Sequence, residues 1–111
     1  MATVQNIVID QGTTFSLDIN LTNDDASAKD LTNYTVASQM RKSYEASTAT
    51  SFTCVKVDAT GKVTISLTAA QTATIKPGRY VYDVEITGTS PAETLRVLEG
   101  LVTVTPEVTK V

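Results

Sequence analysis

The sequence contains no histidine, no tryptophan and a single cysteine. Without histidine, the commonest general base and the commonest transition-metal ligand are both missing. A zinc site needs cysteine or histidine ligands in number, and Cys54 alone cannot supply them. Nor can Cys54 close an intramolecular disulfide, which argues against a disulfide-stapled secreted module. The five glycines are spread singly, so no glycine-rich phosphate loop forms. Basic residues cluster no further than Arg41-Lys42, and the net charge is −3, so the basic stripe of a nucleic-acid binder is lacking. No apolar run approaches the ~18 residues of a membrane span. The opening "MATVQNIVIDQG" has neither the basic region nor the apolar core of a signal peptide. Together these absences predict a non-enzymatic chain folded in a reducing cytoplasm. They predict no nucleic-acid partner, no membrane partner, no cofactor and no metal.

What is present favours strands. At 111 residues the chain fits a single domain, 1–111, large enough to bury one core without staples. Threonine is frequent and valine and isoleucine are well used, and such β-branched residues suit pleated, half-buried surfaces. "NIVIDQGTTFSLDINL" reads as two strands around Gly12; in the second, Phe15, Leu17, Ile19 and Leu21 alternate with Ser16, Asp18 and Asn20. A polar loop follows, anchored by Leu31. "YTVASQMRKSY" is the next strand, with Tyr34, Val36 and Met40 on one side. "FTCVKVD" is apolar on both parities, so it is either a central strand or one covered by a partner. "ATGK" is a hairpin-like turn, and "VTISL" is the strand after it. "TAAQTATI" breaks the alternation: Thr68 and Gln71 fit a capping box, predicting one or two helical turns that end before Pro77. Pro77-Gly78 then turns the chain into a strand over 79–87. "GTSPAE" reads as a loop, and "TLRVLEGLVTVT" as the last strand. Its apolar residues change parity, and Gly100 in mid-strand marks the expected bulge. The tail "PEVTKV" is expected to be frayed or docked.

About seven short strands, with turn signals spaced roughly 8–12 residues apart, predict an all-β, immunoglobulin-like antiparallel β-sandwich. The stretch "TIKPGRYVYDVEI" sharpens that expectation. In such sandwiches a short helical turn leads to strand F, which opens with a tyrosine whose hydroxyl bonds back to the chain. Tyr80 holds that place here. Tyr82 stands where the second cysteine would be, and "VASQM" lacks the buried tryptophan. Aliphatic packing and tyrosines must therefore hold the core. Tyr80 and Tyr82 are both expected to be largely buried, with the Tyr80 hydroxyl bonded to backbone near the helical turn.

Few residues invite chemistry. Cys54 lies in a strand between Thr53 and Val55, so a buried, inert thiol is expected. Asn23, Asp24, Asp25 and Asp30 offer the loop oxygens that calcium takes, but the spacing misses the twelve-residue calcium loop and no glycine supplies its turn. Asp83 and Glu85 share a strand face. A paired-carboxylate site would need a second strand to complete it, and Lys or Arg neighbours explain the pair equally well. Tyr34, Tyr44, Tyr80 and Tyr82 could form a sugar platform, but only Tyr44 has the sequence context of an exposed loop ring. Asn20 and Asn33 match glycosylation acceptors without the secretory context that would use them. No catalytic, cofactor-binding or metal-binding residue is assigned.

Several segments in order carry a resemblance. "QGTTFSLDINLTNDDASAKDLTNYTVASQMRKSY", "SLTAAQTATIKPGRYVYDVEI" and "LEGLVTVTPEVT" together span nearly the whole chain. They resemble small immunoglobulin-like structural proteins of tailed bacteriophages, which occur as free-standing virion proteins or as N-terminal modules of baseplate and fibre proteins. The resemblance implies a virion component made in the host cytoplasm, most readily tail- or baseplate-associated, with capsid decoration as the alternative. Its partners would be other virion structural proteins in many copies, with a homo-oligomer also open. A carbohydrate- or ligand-binding module is the remaining alternative. The candidates for edge pairing with a neighbour are "FTCVKV" and "LRVLEGLVTVT".

Overall fold

The computed structural model describes residues 3–22, 27–89 and 92–108. Nine strand segments and one short helix are present among them: β1 (Thr3–Val4), β2 (Ile7–Asp10), β3 (Phe15–Asn20), β4 (Tyr34–Arg41), β5 (Thr50–Ser51), β6 (Thr53–Val57), β7 (Lys62–Leu67), α1 (Ala69–Ala73), β8 (Gly78–Thr89) and β9 (Ala92–Thr105). They form two packed sheets. One is six-stranded, running β1-β9-β8-β4-β5 with β2 also on β9, and the other is three-stranded, β3-β7-β6. The all-β sandwich expected from the alternation is thus present. One feature departs from an antiparallel sandwich: β1 and β2 both lie parallel to β9. Parallel pairing of the first and last strands leaves no local sequence signal, because no hairpin turn joins them.

The period-two pattern puts Val63, Ile65 and Leu67 of β7 and Val84 and Ile86 of β8 against one another across the sandwich, all buried. Leu31 is fully buried too, as expected of the loop anchor. Burying each such side chain contributes about 1.5–3 kcal/mol of transfer free energy. The turn after β6 closes where the Gly61 amide donates to the Val57 carbonyl at 3.1 Å. Gly61 has φ +70°, and a Cβ there would lie 2.6 Å from the Leu21 carbonyl oxygen, so glycine alone fits.

The capping box forms as the spacing predicts. The Gln71 amide donates to Thr68 Oγ1 at 3.2 Å, and the Thr68 amide donates to Gln71 Oε1 at 2.8 Å. Thr72 Oγ1 ties the helix to the preceding layer through the Thr13 carbonyl, 2.7 Å away. A helix this short depends on such ends and ties. Thr68→Ala is expected to lower stability by about 1 kcal/mol, with an unchanged denaturant slope in urea melts.

The parity change in β9 has a different cause from the one expected. Val84 pairs with Leu98 and Glu85 with Arg96, so Val97 is the extra residue of a bulge. Before it, Glu93 and Leu95 face the interior side; after it, Leu98, Gly100, Val102 and Val104 do. Gly100 is regularly paired with Tyr82. Its missing side chain answers a close approach: a Cβ there would lie 2.3 Å from the Gln5 carbonyl oxygen. Between β1 and β2 the chain kinks over Gly100, and Asn6 Oδ1 accepts the Leu101 amide at 3.1 Å in place of a backbone carbonyl.

The expected "GTSPAE" loop is mostly strand, since β8 and β9 pair as far as Thr89 with Ala92. Ser90 and Pro91 lie outside the described residues. The tail is docked as far as Glu107, whose amide donates to Gln11 Oε1 at 3.2 Å; residues 109–111 also lie outside the described residues.

Candidate functional site

Tyr80 bonds back to the chain as expected but is not largely buried. Its hydroxyl donates to the Lys76 carbonyl at 2.7 Å, just past the helix. The ring is only half-buried, with Lys42 Nζ 4.9 Å from its centroid. Tyr82 is 3% exposed. Its ring meets Phe52 edge-on at 6.3 Å, and Phe52 meets Phe15 at 5.9 Å. This row of rings links the two sheets. The Tyr82 hydroxyl donates to the Gln5 carbonyl at 2.5 Å.

Cys54 faces inward and is partly buried. Burial pushes its thiol above the usual range, and its Sγ lies 3.6 Å from the Phe52 carbonyl oxygen. A thiol held protonated is a poor nucleophile. Native protein is expected to react slowly with a thiol reagent and rapidly once unfolded; fast native labelling would reverse that reading.

Asn23, Asp24 and Asp25 lie outside the described residues. Asp30 is engaged locally: its Oδ1 accepts the Thr32 amide at 2.9 Å and the Thr32 hydroxyl at 2.7 Å, which lowers its pKa. Among the described residues no cluster of three metal-ligating side chains forms. Tyr34 sits under Lys29, 5.1 Å from its ring centroid, and its hydroxyl donates to the Glu93 carboxylate.

Asp83 and Glu85 do share the outer face of the six-stranded sheet. The second strand brings both a cation and a third carboxylate: Arg96 of β9 pairs in register with Glu85 but turns its Nε to Asp83 Oδ2, at 3.2 Å, and Glu99, in register with Asp83, lies 3.9 Å from Arg96 Nη1. Gln39 and Arg41 of β4 flank them from the other side. Arg41 Nη1 donates to the Ala46 carbonyl at 2.7 Å, and its Nη2 donates to Gln39 Oε1 at 3.0 Å. That grip pins the turn bearing Tyr44 against the sheet. The result is a solvent-open groove of about 250 Å³ walled by Tyr44, Gln39, Arg41, Asp83, Glu85 and Arg96. Sequence reasoning found Tyr44, Asp83 and Glu85 separately. It missed the other three, whose signal is only their shared outward parity on two strands, β4 and β9.

The edge candidates divide. "FTCVKV" supplies β6, an outermost strand of the three-stranded sheet, with Val55 60% and Val57 47% exposed. The segment is therefore not the central strand of its sheet, and its outward parity carries Val55 and Val57. "LRVLEGLVTVT" is mostly interior, because β1 and β2 cover β9 from Leu98 onward; only 92–97 remain without a strand on that side among the described residues. Leu95 is 38% exposed there. Set against known proteins, the chain matches no family model and no curated sequence.

Proposed function

We propose that this chain is an immunoglobulin-type sandwich serving as a non-enzymatic structural component of a tailed-phage particle, associated with the tail or baseplate. The strand order carries the fold half of the reading. Immunoglobulin sandwiches place strands A, B, E and D in one sheet and C, F and G in the other. With β3, β4, β6, β7, β8 and β9 taken as B, C, D, E, F and G, the order β3-β7-β6 is B-E-D, and β9-β8-β4 is G-F-C. β1 and β2 then stand for strand A, carried over to G. The Tyr80–Lys76 bond is the corner that such a strand F begins with.

The virion half rests on the resemblance of the segments from "QGTTFSLDINL" to "VTVTPEVT". The exposed edge of β6 and the bare part of β9 are consistent with it. A neighbour's extended strand can add to either through backbone hydrogen bonds. In a symmetric particle weak contacts are multiplied by repetition, so the free chain is a stable monomer or small oligomer. It turns over no ester, phosphate or glycoside. Immunogold electron microscopy of virions, with antibody to this chain, tests the reading. Gold at the tail tip supports it, gold over the head moves the protein to capsid decoration, and bare intact and opened particles sink both.

A further inference from the structure

We propose that the groove beside Tyr44 binds a neutral saccharide. Sugars are recognised by two chemistries at once: an aromatic face for their C–H surfaces, and planar polar side chains for adjacent hydroxyls. Both converge here. Tyr44 is 73% exposed, an unusual place for a large ring with nothing to cover. Its turn is held to the sheet by the Arg41–Ala46 bond and closed by the Ala46 amide donating to the Ser43 carbonyl at 3.1 Å. The ring is therefore presented by an anchored turn.

The polar side is also prepared. Arg96 holds Asp83 through one carboxylate oxygen and leaves Oδ1 to accept from a ligand. Glu85 has no ion pair or hydrogen bond from its carboxylate among the described residues, though it lines the groove and is only half-exposed. Gln39 adds an amide, whose Oε1 is already oriented by Arg41. Charge selects among ligands. Asp83, Glu85 and Glu99, the last beside Arg96, outweigh Arg41 and Arg96 by one charge, so an anion meets no field of opposite sign. A polyhydroxylated neutral molecule uses donors and acceptors of both kinds. The space lies below the ~300–1,000 Å³ of pockets for drug-sized ligands, which suits a sugar ring better than a larger cofactor.

This inference stands apart from the virion reading and fails or holds without it. The test is a titration of the ¹⁵N-labelled chain with neutral oligosaccharides containing glucose, galactose, mannose or N-acetylglucosamine. At least one is expected to shift the amides of Gln39, Tyr44 and Glu85 saturably, with a Kd on the order of 1 mM. Added salt should leave that affinity unchanged. Tyr44→Ala and Glu85→Gln should each weaken binding about tenfold or more, with the unfolding midpoint intact because both side chains are outside the core. The proposal is overturned if no oligosaccharide moves these amides, or if Tyr44→Ala binds as the parent does. It is equally overturned if heparin or spermine binds the groove more tightly than every neutral sugar, with salt-sensitive affinity.

Discussion

Tyr82→Ala is expected to cost about 3–5 kcal/mol in equilibrium denaturant melts, the range for deleting a buried ring. The ring is the end member of the row Phe15, Phe52, Tyr82 that joins the sheets, and its removal leaves a cavity between them. A domain of this size has only ~5–15 kcal/mol in total, so the variant will be near its limit at physiological temperature. Tyr82→Phe separates the hydroxyl from the ring. It keeps the packing and loses the bond to the Gln5 carbonyl, for about 1 kcal/mol. A loss below about 1 kcal/mol for the alanine variant would place Tyr82 outside the core. The same residue gives a pH signature. Burial pushes its pKa from 10.0 up to about 12. The folded state holds the phenol neutral while the unfolded chain ionises near the ordinary value. The stability tied to that difference is fully present below pH 10 and is lost as pH rises toward 12. In Tyr82→Phe the alkaline decline over that window should flatten.

Gly100→Ala should destabilise by about 2–4 kcal/mol, against the local rule that glycine weakens a strand interior. Propensity alone gives the opposite sign. The difference comes from one atom, because the new Cβ would lie 2.3 Å from the Gln5 carbonyl oxygen and 2.8 Å from its carbon. Neither is the movable end of a side chain, so the segment between β1 and β2 must lift. Lifting it also takes away the acceptor of the Tyr82 hydroxyl and the Asn6 bond to the Leu101 amide. Hydrogen exchange should report this as faster exchange of the amides of β2 while β3 and β7 keep their protection. A cycle with Tyr82→Phe should show coupling between the two sites, since both act on Gln5. An alanine variant as stable as the parent would mean that the kink over Gly100 is not fixed.

Gly100 also shows where sequence reasoning stops. Its position in mid-strand signalled something local, and the nearest local explanation was a bulge. The bulge is at Val97, and the neighbour that demands glycine is Gln5, 95 positions earlier. Patterns that repeat within a few residues were legible: the alternation of β3, β7 and β8, the Thr68–Gln71 cap, and the tyrosine after Pro77-Gly78. Patterns that depend on which strands meet were not. The parallel seating of β1 and β2 on β9 is one such case. The groove is another, because Gln39, Glu85 and Arg96 become neighbours only through the registers of β4, β8 and β9. Tyr44 could be singled out since its surroundings in sequence are polar.

The parallel ladder of β2 on β9 has a mechanical consequence. A tension that draws the chain's two ends apart pulls β1 and then β2 from the leading end, near Thr3, and β9 from its trailing end, near Thr105. The two pulls point oppositely along one axis. The pairs of β1 and β2 with β9, from Thr3 with Leu98 to Asp10 with Thr105, are then loaded in shear and share the force together. A hairpin pulled from its open end would instead peel one pair at a time. Forced unfolding is a matter of rate, set by the barrier to the first rupture. Here that rupture is the sliding of β1 and β2 along β9, and the other strands stay out of the load path until it happens.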